Sequence, residues 1–205
     1  MYKILNLVSD DGFASNCYLI SSGTEYIVVD PSFSYEKMLD KYVSLQGTAP
    51  KYVLLTHEHY DHIKCINTYA DRGVKILVSA ESGSALSDSC KNCADFLGDI
   101  GFGFFGEYTV LGEGDRISFG DETLTVMKTP GHTEGSLCFI GNGYVIVGDT
   151  IFQGGSYGRC DLPGGNEAAL CASLRRLLNL PAEYKIYPGH GSYSTIGAER
   201  HFYNL

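Results

Sequence analysis

The stretch LLTHEHYDHI, Leu54 to Ile63, holds His57, His59, Asp61 and His62 within six positions, in a chain with only six histidines altogether. Neutral imidazole and carboxylate are the donors that borderline cations such as zinc prefer. His57 and His59, two apart in an extended turn, can project to one side. Asp61 and His62, on the first turn of a following helix, can project to a neighbouring point. The set divides naturally into two donors for each of two adjacent cations. A polar loop with Asp61 capping a helix accounts for one histidine at such a place, but not for three with an aspartate.

A metal centre needs more donors, and three further segments offer them. His132 lies in TPGHTEGS, Asp149 in VIVGDT and His190 in IYPGHG. Each follows an apolar β-type run and has glycine beside it, which lets the backbone turn sharply and come close to a ligand. With the first cluster they make five histidines and two aspartates at strand ends. The remaining histidine, His201, reads as a solvated or packed residue of a terminal helix.

The elements that must position these groups are legible as short β-rich runs broken by Gly, Ser and Asp: YKILNLV, CYLISS, YIVVD, KYVLLT and VKILVS in the first half. RISFG, TLTVMKT, SLCFIG and YVIVGD follow at the spacing of a β-meander, and YKIYPGHG is a last strand and turn. Ser34 reads as the N-cap of a helix with Met38, Leu39, Tyr42 and Val43 on its apolar face and Gly47 as its end. Residues 61–72 read as one helix stopped by Gly73. Asn166 caps another, with Leu170, Leu174, Leu177 and Leu178 on one face, and STIGAERHFYN reads as a short terminal helix. Residues 80–106 begin helix-like and become rich in Gly and Phe, which predicts a flap. Two strand-rich halves, each followed by helices, predict an α/β fold with two sheets face to face and helices outside.

The chain has 205 residues, a length that suits one domain spanning 1–205. A formal net charge of -9 argues against a nucleic-acid surface, which needs clustered Lys and Arg. No apolar run is long enough for a membrane span, and the first residues lack a signal-peptide pattern. Seven scattered cysteines then read as reduced thiols in a cytoplasm. Cys90 and Cys93 form a single Cys-x-x-Cys, redox-active or half of a zinc site in principle. With no second pair to complete four thiolates, a structural role is favoured.

THEHYDH, PGHTEGS, GDTIF and PGH, in this order, resemble the motifs of the metallo-β-lactamase fold hydrolases, from Asn16 to Arg200. GDTIFQGGSYGRCDLPGG with GHGSYSTIGAER is similar to the glyoxalase II-like branch, the hydroxyacylglutathione hydrolases, in a short form without the C-terminal helical domain. The resemblance implies a four-layer αβ/βα sandwich with two divalent ions between the sheet edges. Zinc is the first expectation, and iron or manganese accept the same donors. By motif, His57, His59 and His132 would hold one ion, Asp61, His62 and His190 the other, and Asp149 would bridge them. A hydroxide shared by the two ions would attack a small-molecule thioester, with Asp61 orienting it as the catalytic residue.

Arg159, in GSYGRCD, stands where related enzymes carry a cation facing substrate; a structural ion pair with Asp161 is the competing reading. Tyr157 is a second candidate for the substrate pocket. With only fifteen residues after His190, glutathione itself is expected to be weakly held. Phe102, Phe104 and Phe105 of the flap are expected to wall the pocket instead. A mononuclear iron persulfide dioxygenase using His57, His59 and His132, and a non-catalytic metal-binding protein, are the alternatives. The complete second donor set speaks against both. The oligomeric state has no signature in the sequence.

Overall fold

The computed structural model describes residues 1–7, 14–42 and 47–203. Strands β1 (Tyr2–Leu7), β2 (Cys17–Ser22), β3 (Glu25–Val29), β4 (Tyr52–Leu54), β5 (Lys75–Ser79) and β6 (Tyr108–Leu111) lie side by side in that order. The pairs from β1 to β3 are antiparallel and those from β3 to β6 parallel. The second sheet holds β7 (Arg116–Phe119), β8 (Glu122–Lys128), β9 (Leu137–Gly141), β10 (Tyr144–Gly148), β11 (Lys185–Pro188) and β12 (Ser194–Thr195), again in chain order. Its neighbours are antiparallel except β10 and β11.

Alternation along the strands divides the interior into three cores. In the first sheet Tyr18, Ile20, Ile27 and Val29 face the second sheet, while Leu19 and Val28 face outward. In the second sheet Tyr144 and Ile146 point back toward the first, and Val145 and Val147 point away. Side chains on a strand alternate between faces, so a strand apolar at every position must be covered on both. The covers are helices. α1 (Tyr35–Lys41), α2 (Tyr60–Ile63) and α3 (Ile66–Ala70) bring Met38, Ile63, Ile66 and Tyr69 onto the first sheet. α6 (Glu167–Leu177) and α7 (Ile196–Arg200) bring Leu170, Leu174, Leu177 and Ile196 onto the second. The result is helix, sheet, sheet, helix: the expected four-layer αβ/βα sandwich. Two further short helices, α4 (Ala80–Ala85) and α5 (Ala94–Leu97), follow β5. Among the described residues no helix is long and apolar enough to cross a membrane.

Helix starts follow the sequence. Ser34 accepts from the amide of Lys37 at 3.2 Å, and Asn166 accepts from that of Ala169 at 3.0 Å. Three details differ. α1 ends at Lys41, well before Gly47, and Val43 of its predicted face lies outside the described residues. The helix expected over 61–72 is broken after Ile63, because both ends of the next helical hydrogen bond are taken elsewhere. The Cys65 amide donates to the Pro31 carbonyl at 3.0 Å, and the Asp61 carbonyl accepts from Ser15 at 3.3 Å. Strand β6 escaped the sequence reading because Tyr108, Thr109 and Val110 are exposed on a sheet edge; pairing with β5 holds it there.

Strand direction explains where the donors meet. β3 and β4 run parallel, so residues following their C-terminal ends emerge together: Asp30 after one, His57 after the other. β8, β10 and β11 share one direction in the second sheet, so His132, Asp149 and His190 emerge at one edge of it. Backbone bonds between the halves bring the two edges together. Leu137 donates to the Thr56 carbonyl at 2.7 Å, and Asn16 donates to that of Gly189 at 2.6 Å.

Candidate metal centre

All seven strand-end donors converge at this edge. Donor atoms of His57, His59 and His132 lie within 4.8 Å of one another; so do those of His57, His62 and Asp149, and those of Asp61, His62 and His190. The three groups share His57 and His62, which makes one cluster with two foci. Asp149 touches both: Oδ2 lies 3.7 Å from His132 Nε2 and 3.5 Å from His190 Nε2, and Oδ1 lies 3.3 Å from His62 Nε2. Asp61 Oδ2 lies 3.0 Å from His190 Nε2.

The far side of three rings fixes their tautomers. Asp30 is buried, and its carboxylate accepts from the Thr56 amide at 2.7 Å and from Thr56 Oγ1 at 2.7 Å. It also receives His62 Nδ1 at 2.8 Å. The single hydroxyl proton of Thr56 is committed to Asp30, so its contact with His57 Nδ1 at 3.0 Å must be an N–H donating to the hydroxyl. His132 Nδ1 donates to the Arg159 carbonyl at 2.7 Å. His57, His62 and His132 thus carry their neutral-state proton on Nδ1 and turn a bare Nε2 to the centre. Such outer partners orient metal-binding histidines.

Whether the residues fit a cation is tested by what they leave unsatisfied. Nε2 of His57, His59 and His62 and Oδ1 of Asp149 are buried without a hydrogen-bond partner. Buried polar atoms are normally paired; unpartnered His57 Nε2 and Asp149 Oδ1, in a cluster where His59 Nδ1 stands only 2.9 Å from His132 Nε2, suit an occupant that accepts lone pairs. Protonation states agree. Burial, then the surrounding histidines, holds His57 well below its ordinary pKa, and the same causes lower His59 to about 3. Burial also opposes charge on His62, but Asp61, Asp149 and Asp30 outweigh it and hold this ring well above the usual range. Burial acts against ionisation of Asp61 and Asp149, yet His62 leads a set of histidines that keeps both below the usual carboxylate range. Without a cation, the His62 proton balances part of the carboxylate charge. A dication would replace it.

Close approach is built into the backbone. A side chain at Gly189 would collide with the Asp149 carboxylate and the His62 ring, and one at Gly158 with the Asp149 carbonyl and the His132 ring. The sequence reading missed two carboxylates that shape this region. Asp30 sits at φ 53°, in the left-handed region that non-glycine residues rarely occupy; its position straight after an apolar strand, like Asp149, was the available signal. Glu58 is buried between the two ligand histidines. Its Oε2 accepts from Ser82 Oγ at 2.5 Å and from Thr133 Oγ1 at 3.0 Å, tying the His57–His59 turn to the loop of His132. Burial pushes its carboxyl up.

The cluster opens into a cleft of about 410 Å³, with Cys93, Phe96, Leu97, Phe152, Arg159 and Leu162 on its walls. The expected aromatic wall is therefore replaced by neighbours. Phe104 is buried in the outer core, Phe102 packs edge-on against Tyr60 at 4.9 Å, and Phe105 is exposed in a separate groove along β6. Phe96 and Leu97, from the same flap segment, face the cleft instead. Arg159 lines the cleft, and its guanidinium makes the ion pair with Asp161. Tyr157 is exposed and is not part of the cleft wall. His201 is exposed. Both thiols of the Cys-x-x-Cys are pushed up, Cys90 by its contact with Asp95 and Cys93 by burial, which is the reverse of a reactive thiolate.

A sequence model of the metallo-beta-lactamase superfamily matches residues 10–190, which include every one of these donors. The chain belongs to the metallo-β-lactamase superfamily. Within it, the chain is 30% identical over 191 residues to the probable metallo-hydrolase YqgX of Bacillus subtilis (strain 168), covering 91% of this chain and 89% of the relative. It is 31% identical over 202 residues to the hydroxyacylglutathione hydrolase GloC of Haemophilus influenzae (strain ATCC 51907 / DSM 11121 / KW20 / Rd), covering 96% and 94%. The crystal structure of TTHA1623 in a di-iron-bound form superimposes with a TM-score of 0.81 at 30% identity, covering 98% of both chains. These superfamily relationships and the donor clusters make the centre a binding site for divalent metal.

Proposed function

We propose that the chain is a binuclear metal-dependent hydrolase acting on thioesters, of the hydroxyacylglutathione hydrolase type. The observation that carries the reading is the position of Asp149 between two complete donor sets, with its own Oδ1 and His57 Nε2 buried without a hydrogen-bond partner. His57, His59 and His132 would hold one ion and Asp61, His62 and His190 the other, with Asp149 shared. When bound, such ions supply Lewis acidity toward a carbonyl and lower the pKa of water toward neutrality. Zinc, iron and manganese all suit the donors, and the di-iron form of TTHA1623 keeps iron beside zinc as a candidate.

The protein's own part is positioning. Asp30, Thr56 and the Arg159 carbonyl hold three imidazoles in one tautomer and orientation, so little reorganisation is left for the reaction. The Asp61 carboxylate reaches the cleft and can accept a hydrogen bond from the attacking water, fixing its direction. The apolar walls exclude other water from the acyl group. A thiolate leaving group needs no strong proton donor, since thiol pKa values lie near about 8.5, and among the described residues that line the cleft none besides the seven donors is a His, Asp or Glu. The similarity to GloC supports a thioester substrate, and seven cysteines without a disulfide suit a reducing cytoplasm.

The test combines elemental analysis after metal reconstitution with release of free thiol from S-lactoylglutathione and from a simple neutral thioester. The expected result is two equivalents of metal and thiol release. Full activity at one equivalent would overturn the binuclear reading. Oxygen uptake with glutathione persulfide, and no thioester turnover, would replace hydrolysis by dioxygenation.

A further inference from the structure

The substrate proposed above leaves the thiol portion open, and the cleft's charge arrangement bears on it; the inference rests on the thioesterase reading. Among the described residues that line the cleft, Arg159 is the one Lys or Arg. Its guanidinium is already matched. Nε donates to Asp161 Oδ1 at 2.7 Å and an Nη donates to Oδ2 at 2.6 Å, a two-pronged pair. The remaining walls, Phe96, Leu97, Phe152 and Leu162, are apolar, and Phe96 is 69% exposed at the rim.

We propose that Asp161 is a specificity-determining residue. By occupying Arg159 it makes the cleft select thioesters whose thiol and acyl groups are uncharged and apolar over those bearing carboxylates.

The argument is one of competition. A substrate carboxylate can take the two-pronged edge of Arg159 only by displacing Asp161, which is tethered two residues away and gives up no translational freedom in binding, and at the remaining N–H groups it meets the Asp161 charge alongside. The exchange swaps one charge-assisted pair for another and leaves the Asp161 charge beside the ligand. The Arg159 guanidinium pulls the Asp161 carboxyl down to about 2, so the competitor is ionised throughout the physiological range. Elsewhere the walls offer apolar surface, which rewards an alkyl or aryl group and penalises a desolvated carboxylate. As a surface pair it contributes little to stability; its effect falls on ligand choice. The carbonyl of Arg159 is anchored by His132, so the side chain starts from a fixed point beside the centre.

The test uses two inert thioethers with the metal-loaded protein: S-hexylglutathione, which carries carboxylates, and N-acetyl-S-hexylcysteamine, which carries none. Calorimetry gives the ratio of their affinities in the wild type, in Asp161→Asn and Asp161→Ser, and in Asp161→Asn combined with Arg159→Gln. The wild type should favour the neutral ligand. Freeing Arg159 restores one charge-assisted hydrogen bond, so each single variant should move the ratio toward the glutathione ligand by about tenfold. The shift should shrink at high salt and vanish in the double variant. A wild type that favours S-hexylglutathione, or a ratio that does not move in either single variant, overturns the proposal. The matching thioesters are assayed in parallel. Turnover of both with an unmoved ratio sinks this inference alone; a shifted ratio without turnover of either supports it and removes the thioesterase reading.

Discussion

Asp30 offers the sharpest perturbation of the metal centre, because it touches no cation-facing atom and yet fixes two rings. In Asp30→Asn the amide can keep the left-handed backbone, which asparagine tolerates. The amide oxygen can still accept from the Thr56 N–H. The amide NH2 then stands where Oδ2 received both Thr56 Oγ1 and His62 Nδ1, and all three groups are donors. The conflict is relieved by turning the Thr56 hydroxyl toward His57 Nδ1 and moving the His62 proton, which favours the wrong tautomer in both rings. Two bonds to a carboxylate are lost at about 1.5–3 kcal/mol each. Outer partners of metal histidines are worth roughly 10–100-fold in metal affinity, or about 1.4–2.8 kcal/mol. Competition with a chromophoric chelator should show both equivalents weakened by that amount, because His57 and His62 belong to different donor sets. The melting-temperature difference between loaded and metal-free protein should shrink in step. Unchanged affinity for both ions in a folded Asp30→Asn protein would refute the tautomer argument.

Asp149→Ala should lower occupancy of both ions together, not of one, and turnover with it; elemental analysis showing loss of a single equivalent would assign Asp149 to one ion. Asn16→Ala removes donors to the Pro188 and Gly191 carbonyls, at 2.9 and 3.0 Å, that hold the turn of His190. It should cost about 1–3 kcal/mol in urea denaturation and weaken the ion held by His190 more than the other. Leu174→Ala, in the core beneath the second sheet at 2% exposure, should destabilise by about 2–5 kcal/mol while leaving KM and kcat of the remaining folded protein unchanged.

The donors were legible because five of the seven are histidine, scarce in this chain, and each stands at a place the pattern marks: the end of an apolar β-run, next to glycine or a helix start. The layered fold was legible for the same reason, since strands apolar on both faces demand cover on both. What escaped depends on contacts between distant segments. Asp30 looks like any strand-ending aspartate until the parallel pairing of β3 and β4 lays it against Thr56. The helix break at Ile63 comes from Pro31 and Ser15, which no local propensity includes. The cleft wall was assigned to Phe102, Phe104 and Phe105 because aromatic density is visible in sequence. Which aromatic faces inward is set by packing, and Phe104 went to the core while Phe96 went to the rim.

The seam between the two halves has a consequence for the life of the protein. The first half supplies His57, His59, Asp61 and His62, and the second His132, Asp149 and His190, so neither half completes a coordination set. Even the partners His59 and His132 are 73 residues apart. Bound metal would therefore act as a reversible cross-link, and because the unfolded chain cannot assemble the ligands, it would favour the native state by mass action. At a free concentration of about one hundred times the dissociation constant, that is about 2.7 kcal/mol for one site, a large share of the roughly 5–15 kcal/mol that holds a typical domain together. Resistance to proteolysis is then expected to rise and fall with the supply of metal, which limited digestion at a series of free-metal concentrations measures.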